Sequence, residues 1–212
     1  MDLDIYHKIV SKLPNNVRLI AVSKGQSTEK ILELYNEGQR HFGENFEQEL
    51  AHKKENLPND IKWHFLGNIQ TNKLKKVSSS SYLIQSVSRK KILDKLINLN
   101  DNKAVNILLQ YKLGNENTKS GFGKAELIEI HERYRDSNSL RIIGLMGIAE
   151  NSNEEKRTQK QFEEIAQLYN ELKSKDENIS TLSIGMSSDY NLAIQSGSNM
   201  IRLGTVIFGN RR

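Results

Sequence analysis

The 212-residue chain contains no cysteine. That excludes disulfides, thiolate metal sites and cysteine nucleophiles, and it suits a reducing compartment. Long apolar runs are missing as well: nothing approaches the roughly 20 residues needed to span a bilayer. The opening "MDLDIYHKIVSKLP" carries two aspartates and no apolar core of signal-peptide length, so a cytoplasmic location without a membrane partner is expected. A concentrated basic tract is also absent. The formal charge of +5 would suit nucleic acid, but the lysines are scattered and the clusters "KLKK", "SRKK" and "NRR" are short. Solvated helix faces account for them, and no nucleic-acid partner is expected.

What is present is an ordinary balance of 36% apolar and 27% charged residues, in a chain long enough for one sizeable core or two small ones. Short, β-branched apolar runs alternate with longer amphipathic stretches. The runs predict strands at Arg18–Ser23, Arg40–Phe42, Lys62–Leu66, Leu83–Val87, Val105–Lys112, Arg141–Met146, Thr181–Ile184 and Met200–Leu203. Helices are predicted at Thr28–Glu37, Glu44–Glu55, Thr71–Val77, Arg89–Leu99, Lys124–Tyr134 and Asp189–Gln195. In "EEKRTQKQFEEIAQLYNELKSK" one stripe gathers Phe162, Ile165, Ala166, Tyr169 and Leu172.

Such alternation, with only two prolines, argues for a parallel sheet wound by right-handed crossovers. Eight units close into a (β/α)8 TIM barrel, whose usual lower limit is about 200 residues; an open doubly wound sheet is the alternative. No long helix follows the last strand, so the predicted helix Asp2–Leu13 is placed in that slot of the outer ring. "SSSS" (Ser78–Ser81) reads as a loop, and residues 1–212 read as a single α/β domain.

In a barrel, the strand C-terminal ends and the loops after them build the site. Period-two alternation in "RLIAVSKG" puts Ile20, Val22 and Lys24 on one face. An amine desolvated there is pushed toward the neutral form that attacks carbonyls; alternatively, Lys24 snorkels into water. "SIGMSSDYNLAIQSG" reads as strand, turn and helix, with Ser187 or Ser188 as N-cap and Gly197 as the stop. Free N–H groups and hydroxyls at such a start attract an anion, and "RLGT" adds Gly204 and Thr205 beside it. Plain capping is the alternative. Arg202, on the face of Met200 and Gly204, pairs with a carboxylate such as Glu44 or Glu150, or faces a ring-nitrogen acceptor.

An amine, a phosphate cradle and a buried arginine in one mouth suggest pyridoxal 5′-phosphate (PLP). A cation beside the pyridine nitrogen disfavours its protonation and leaves a weaker electron sink. Other features are blander. His41, His64 and Glu44 have no spacing that fixes a metal site. The acidic cluster Glu44, Glu47 and Glu49 suits a helix start. "NENTKSGFGK" (Asn115–Lys124) is an ordinary connection or a lid.

The segments "AVSK", "HFGENFEQE", "WHFLGNIQTNK", "TKSGF", "GLMGI", "LSIGMSSD" and "IRLGTVIFGNR" follow one another as in the pyridoxal phosphate homeostasis protein family. The chain resembles that family over nearly its whole length, and the family resembles the barrel domain of alanine racemase (fold type III). The resemblance implies that Lys24 holds PLP as an internal aldimine and that Arg202 approaches the pyridine nitrogen. It further implies that Ser187, Gly204 and Thr205 bind the phosphate, that Met186 lines the pocket and that Asn45 lies beside the ring. Lys119 matches a family lysine as a secondary cofactor contact. Family members usually continue the lysine motif as Lys-Thr-Lys, whereas this chain has Gly25 and Gln26.

Two functions are compared. The first is a non-enzymatic, monomeric PLP protein that buffers the aldehyde and delivers it to apo PLP-dependent enzymes, with no catalytic residues. The second is a small racemase. Racemisation needs a base on each face of the α-carbon, and the alanine racemase partner tyrosine comes from a second domain for which no chain is left; Tyr111 and Tyr190 are the nearest substitutes. A cofactor-free lysine aldolase is weaker, since it leaves Arg202 unexplained. The first function is therefore expected.

Overall fold

The structure, a computed structural model, describes residues 1–99, 104–114, 120–150 and 154–209. Each apolar run forms a strand: β1 (Arg18–Val22), β2 (His41–Glu44), β3 (Lys62–Phe65), β4 (Leu83–Val87), β5 (Val105–Tyr111), β6 (Leu140–Gly147), β7 (Thr181–Ser183) and β8 (Met200–Leu203). All neighbours pair in parallel and in chain order, and β8 returns to β1, closing a barrel. Closure excludes the open doubly wound sheet. Ile20 stands opposite Arg202 and Ala21 opposite Leu203, so both ends of the sequence contribute to one mouth.

Parallel neighbours need crossovers, and helices supply them. The helices are α1 (Leu3–Val10), α2 (Thr28–Asn36), α3 (Glu47–Asn56), α4 (Leu74–Ser80), α5 (Lys90–Ile97), α6 (Lys124–Tyr134), α7 (Glu155–Lys173), α8 (Tyr190–Gln195) and α9 (Thr205–Phe208). The stripe Phe162, Ile165, Ala166, Tyr169 and Leu172 is the buried face of α7. Among the described residues, no helix is long and apolar enough to cross a membrane.

Strand alternation divides the core in two. Leu19, Ala21, Ile201 and Leu203 join the large apolar layer between sheet and helices, while Ile20, Leu83, Leu108, Met146 and Met200 pack along the barrel axis. Each such side chain, once buried, contributes about 1.5–3 kcal/mol.

Several boundaries differ from expectation for identifiable reasons. Glu44 continues β2 instead of opening a helix, because its side chain is buried against α3. Three of the "SSSS" serines end α4, where Ser78 Oγ donates to the Lys75 carbonyl at 2.9 Å. The first helix starts at Leu3, where Asp2 Oδ1 accepts the Ile5 N–H at 3.0 Å. A single helical turn, α9, follows β8, and the Asp2 N–H donates to the Ile207 carbonyl at 3.0 Å. Together α1 and α9 fill the slot that the sequence left open.

Strand β6 holds one residue more than β5 can match. Ile107 faces Ile142 but Leu108 faces Gly144, so Ile143 is the extra residue of a bulge. The bulge reverses the strand's phase: Ile142 and Leu145 both face the helices, three positions apart, and Met146 turns to the axis. Gly144 takes φ +154°, and a Cβ there would lie 1.8 Å from the Thr181 carbonyl oxygen. Gly144→Ala should therefore destabilise the fold by about 2–4 kcal/mol, lowering Tm in thermal denaturation by roughly 6–12 °C.

Candidate functional site

The strand β1 ends in a tight turn. The Ser23 carbonyl accepts the Gln26 N–H at 2.9 Å, and Gly25, third in the turn, takes φ +69°. Glycine enters that region without a Cβ clash, so the departure from Lys-Thr-Lys coincides with a left-handed position. The residues flanking Lys24 are held from below. Ser23 Oγ donates to Glu44 Oε1 at 2.5 Å, Lys53 Nζ donates to the Ser23 carbonyl at 2.8 Å, and the Gly25 N–H donates to Glu49 Oε1 at 2.6 Å. Lys53, only 3% exposed, ties this group together by pairing with Glu44 at 2.8 Å and Glu49 at 2.6 Å. Burial pushes the Glu44 carboxyl up to about 7, against the pull of Lys53 and the Ser23 hydroxyl. Its Oε2 is buried without a hydrogen-bond partner.

Beyond β7 the chain makes a second turn. Asp189 rather than Ser187 or Ser188 occupies the N-cap position of α8, but its Oδ1 accepts the Met186 N–H in the preceding turn at 2.6 Å and caps no N–H of the helix. That arrangement releases the serine hydroxyls from capping. Ser187 Oγ instead accepts the Gly204 N–H at 3.4 Å, joining the loops after β7 and β8. Helix α9 starts at Thr205, and its first N–H groups have no intrahelical acceptors. Gly197, at φ +96°, follows α8 as its expected stop.

Arg202 is 5% exposed and points along the axis. Its Nη1 donates to the Ser183 carbonyl at 2.7 Å and to Ser183 Oγ at 2.6 Å, and its Nη2 donates to the Gly147 carbonyl at 2.9 Å. All three acceptors are neutral. The expected carboxylate partners lie elsewhere: Glu44 faces the helix layer, and Glu150 pairs with Arg157 at 2.5 Å. Burial lowers the guanidinium to about 10, which leaves it charged at neutral pH.

These elements surround a cavity of about 360 Å³ at the C-terminal mouth. Its walls include Lys24, Asn45, Met186, Ser187, Arg202, Gly204 and Thr205, so these seven candidate site residues meet there. Val22, Leu66, Met146, Ile148 and Ser188 complete the lining. Val22 shares the face of Lys24 and could have been read from the alternation; Met146 depends on the bulge. Lys119 lies outside the described residues, as does the first half of "NENTKSGFGK", although Phe122 bridges Tyr111 and is buried.

The histidines sit differently from expectation. His41 opens β2, at the end of the barrel away from the mouth, and His64 is buried midway along β3. Their rings meet at 2.9 Å, while Glu44 faces the other side of the sheet. The three are therefore not brought together as a metal site.

The model of the alanine racemase N-terminal domain family matches residues 6–212. A pyridoxal phosphate homeostasis protein of Vibrio alginolyticus is 38% identical, covering 94% of this chain and 89% of that protein. Its counterpart in Schizosaccharomyces pombe is 36% identical over 99% of this chain and 91% of its own. Among solved structures, PipY of Synechococcus elongatus with PLP bound superposes with a TM-score of 0.89 at 34% identity, covering 97% of this chain and 99% of PipY. Alanine racemase of E. faecalis shares the fold alone: TM-score 0.77 at 15% identity, covering 98% of this chain but 57% of the enzyme.

Removing the cation beneath the β1 turn would leave the Ser23 carbonyl without its donor and the Glu44 and Glu49 carboxyls without their partner. Lys53→Met should cost about 3–5 kcal/mol in urea denaturation. The Glu44 carboxyl is at about 7 in the folded protein, against 4.5 ordinarily. Between those values the folded state holds the extra proton, so this group's contribution to stability falls as pH rises. Urea midpoints at pH 5 and pH 7.5 should show wild type losing more stability across the interval than Glu44→Gln.

Proposed function

The chain belongs to the alanine racemase N-terminal domain family and, within it, to the pyridoxal phosphate homeostasis proteins; from that premise we propose that it binds PLP covalently through Lys24 and serves PLP homeostasis. The observation that carries the reading is the convergence of an amine, a neutrally held guanidinium and a hydroxyl-rich double loop on one cavity.

The donor set fits the cofactor's groups. When bound, PLP supplies an aldehyde that condenses with primary amines and a ring that withdraws electrons. Lys24 offers the amine from a turn fixed on both sides by the Glu44, Glu49 and Lys53 cluster. Ser187, Thr205 and the backbone at Gly204 receive the phosphate, where hydroxyls and the start of α9 favour negative charge. Arg202, whose acceptors are all neutral, presents a fixed cation to the ring nitrogen and disfavours its protonation. Met186 and Ile148 form the exposed rim, and Asn45 stands beside Lys24.

A weak electron sink suits storage better than turnover. Of the tyrosines that could give the racemase alternative its second base, Tyr111 is already committed. Tyr111 donates its hydroxyl to Glu164, and burial together with that carboxylate pushes the phenol far above its ordinary value. In this reading residues 1–212 act as one monomeric cytoplasmic domain that buffers PLP and passes it to apo-enzymes, without catalytic residues.

Purified protein mixed with PLP should develop a near-violet absorption band that borohydride abolishes with covalent retention of the cofactor; Lys24→Ala should show neither. A wild type that binds no PLP overturns the reading. Incubation with single-enantiomer amino acids should give no racemisation, and turnover on the order of 1 per second would restore the enzyme.

A further inference from the structure

A line of polar side chains threads the barrel axis from the cavity to the opposite end. Arg202 begins it, and an arginine only donates. Its Nη1 gives hydrogen bonds to the Ser183 carbonyl and to Ser183 Oγ. Ser183 Oγ must then place its own hydrogen elsewhere, and Gln85 Oε1 accepts it at 2.7 Å. With its carbonyl so engaged, Gln85 turns its amide nitrogen to two acceptors, His64 Nδ1 at 2.9 Å and Met200 Sδ at 3.2 Å. A flipped amide would set oxygen against the Met200 sulfur and deprive the Ser183 proton of its acceptor.

The polarity continues into the histidines. Because His64 Nδ1 accepts, its proton is on Nε2, which lies 2.9 Å from His41 Nδ1. His41 therefore also accepts at Nδ1 and is protonated on Nε2. Both imidazoles are neutral at pH 7. Burial lowers His41 to about 4 and His64 well below its ordinary value, and Arg18 from β1 and Lys62 from β3 push His41 the same way. Tyr82 edges both rings. No step of the line can reverse while Arg202 stands at its head.

We infer that Ser183 and Gln85 are positioning residues for the cavity: they hold the Arg202 guanidinium in one orientation and carry its hydrogen-bond polarity through His64 to His41. The Ser183 lone pair faces Arg202 because Gln85 draws the hydroxyl hydrogen away. Without Gln85 the hydroxyl can rotate its hydrogen toward the cation. The effect on the cofactor rests on the PLP reading above; the polarity does not.

The test uses the full chain labelled with 15N-histidine, free of PLP and loaded with it. Long-range 1H–15N correlations at pH 7 should show His41 and His64 of wild type as single Nε2–H tautomers in both forms. Ser183→Ala, which touches neither histidine, should turn both rings into tautomer mixtures and weaken PLP binding about tenfold, the scale of one lost hydrogen bond. Gln85→Leu should do the same and serves if Ser183→Ala does not fold. An Nδ1–H tautomer at His64 in wild type, or unchanged tautomers in both variants, overturns the inference. Wild-type tautomers as expected without PLP uptake support the relay and overturn the cofactor reading. PLP uptake equally tight in wild type and Ser183→Ala overturns the positioning role.

Discussion

Closure between β1 and β8 is the contact on which everything else depends. It sets Ile20 against Arg202 and Ala21 against Leu203, residues separated by almost the whole chain. One pairing register later, the Lys24 turn and the Gly204–Thr205 backbone lie across the same mouth. A slip of one residue would exchange the faces of β8, turning Arg202 toward the helices and Leu203 into the axis. The apolar layer guards against that slip, since Ile201 and Leu203 are fully buried in it. The outer core thus maintains the geometry of the mouth without touching it.

Two buried cations flank that mouth and are accommodated in opposite ways. Lys53 is surrounded by carboxylates, so its charge is neutralised within the protein and its role ends at fixing the β1 turn. Arg202 has only carbonyl and hydroxyl oxygens, which satisfy its donors while leaving its charge to act on whatever enters the cavity. Burying a cation with no carboxylate in contact is costly, and Asp189 acts on the guanidinium only through space. The cost is reduced here by three short hydrogen bonds and by the cavity itself, which stops the guanidinium from being wholly enclosed. Each position has the residue type that its charge requires. An ammonium can be neutralised in place, whereas a guanidinium keeps its charge under burial.

Much of this was legible in the sequence, because alternation in a short strand is a local property. The inward face of Ile20, Val22 and Lys24 and the split of Arg202 from Ile201 and Leu203 needed no tertiary information. Lys24, Ser187, Arg202, Gly204 and Thr205 could be read from the strand ends, where a barrel builds its site, whereas Asn45 and Met186 rested on the family resemblance and Val22, Leu66, Met146 and Ile148 were not singled out. What escaped was whatever depends on a partner strand. Glu44 looked like a helix-start acid, and only the arrival of Lys53 from α3 makes it a strand residue. Gln85 and Ser183 are unremarkable polar residues in apolar runs until closure brings β4, β7 and β8 around one axis. His41 was placed at the wrong end of its strand because the predicted end at Phe42 falls two residues short of Glu44, half the length of a four-residue strand.

The bulge in β6 also bears on how this chain can change length. Most insertions and deletions in a barrel fall in loops, where they alter reach and little else. Ile143 is an exception, because its neighbour strand has no residue to match it. Deleting it would leave every loop intact and the ladder regular, and because Ile142 and Gly144 already face Ile107 and Leu108, each later side chain of β6 would keep its present face. Keeping the residue but straightening the bulge would be the disruptive change: Leu145 would enter the mouth and Met146 would leave it. Relatives aligned through this strand without a gap therefore share pocket residues only if they share the bulge, whereas a single gap at position 143 would mark a regular strand that keeps the same pocket wall.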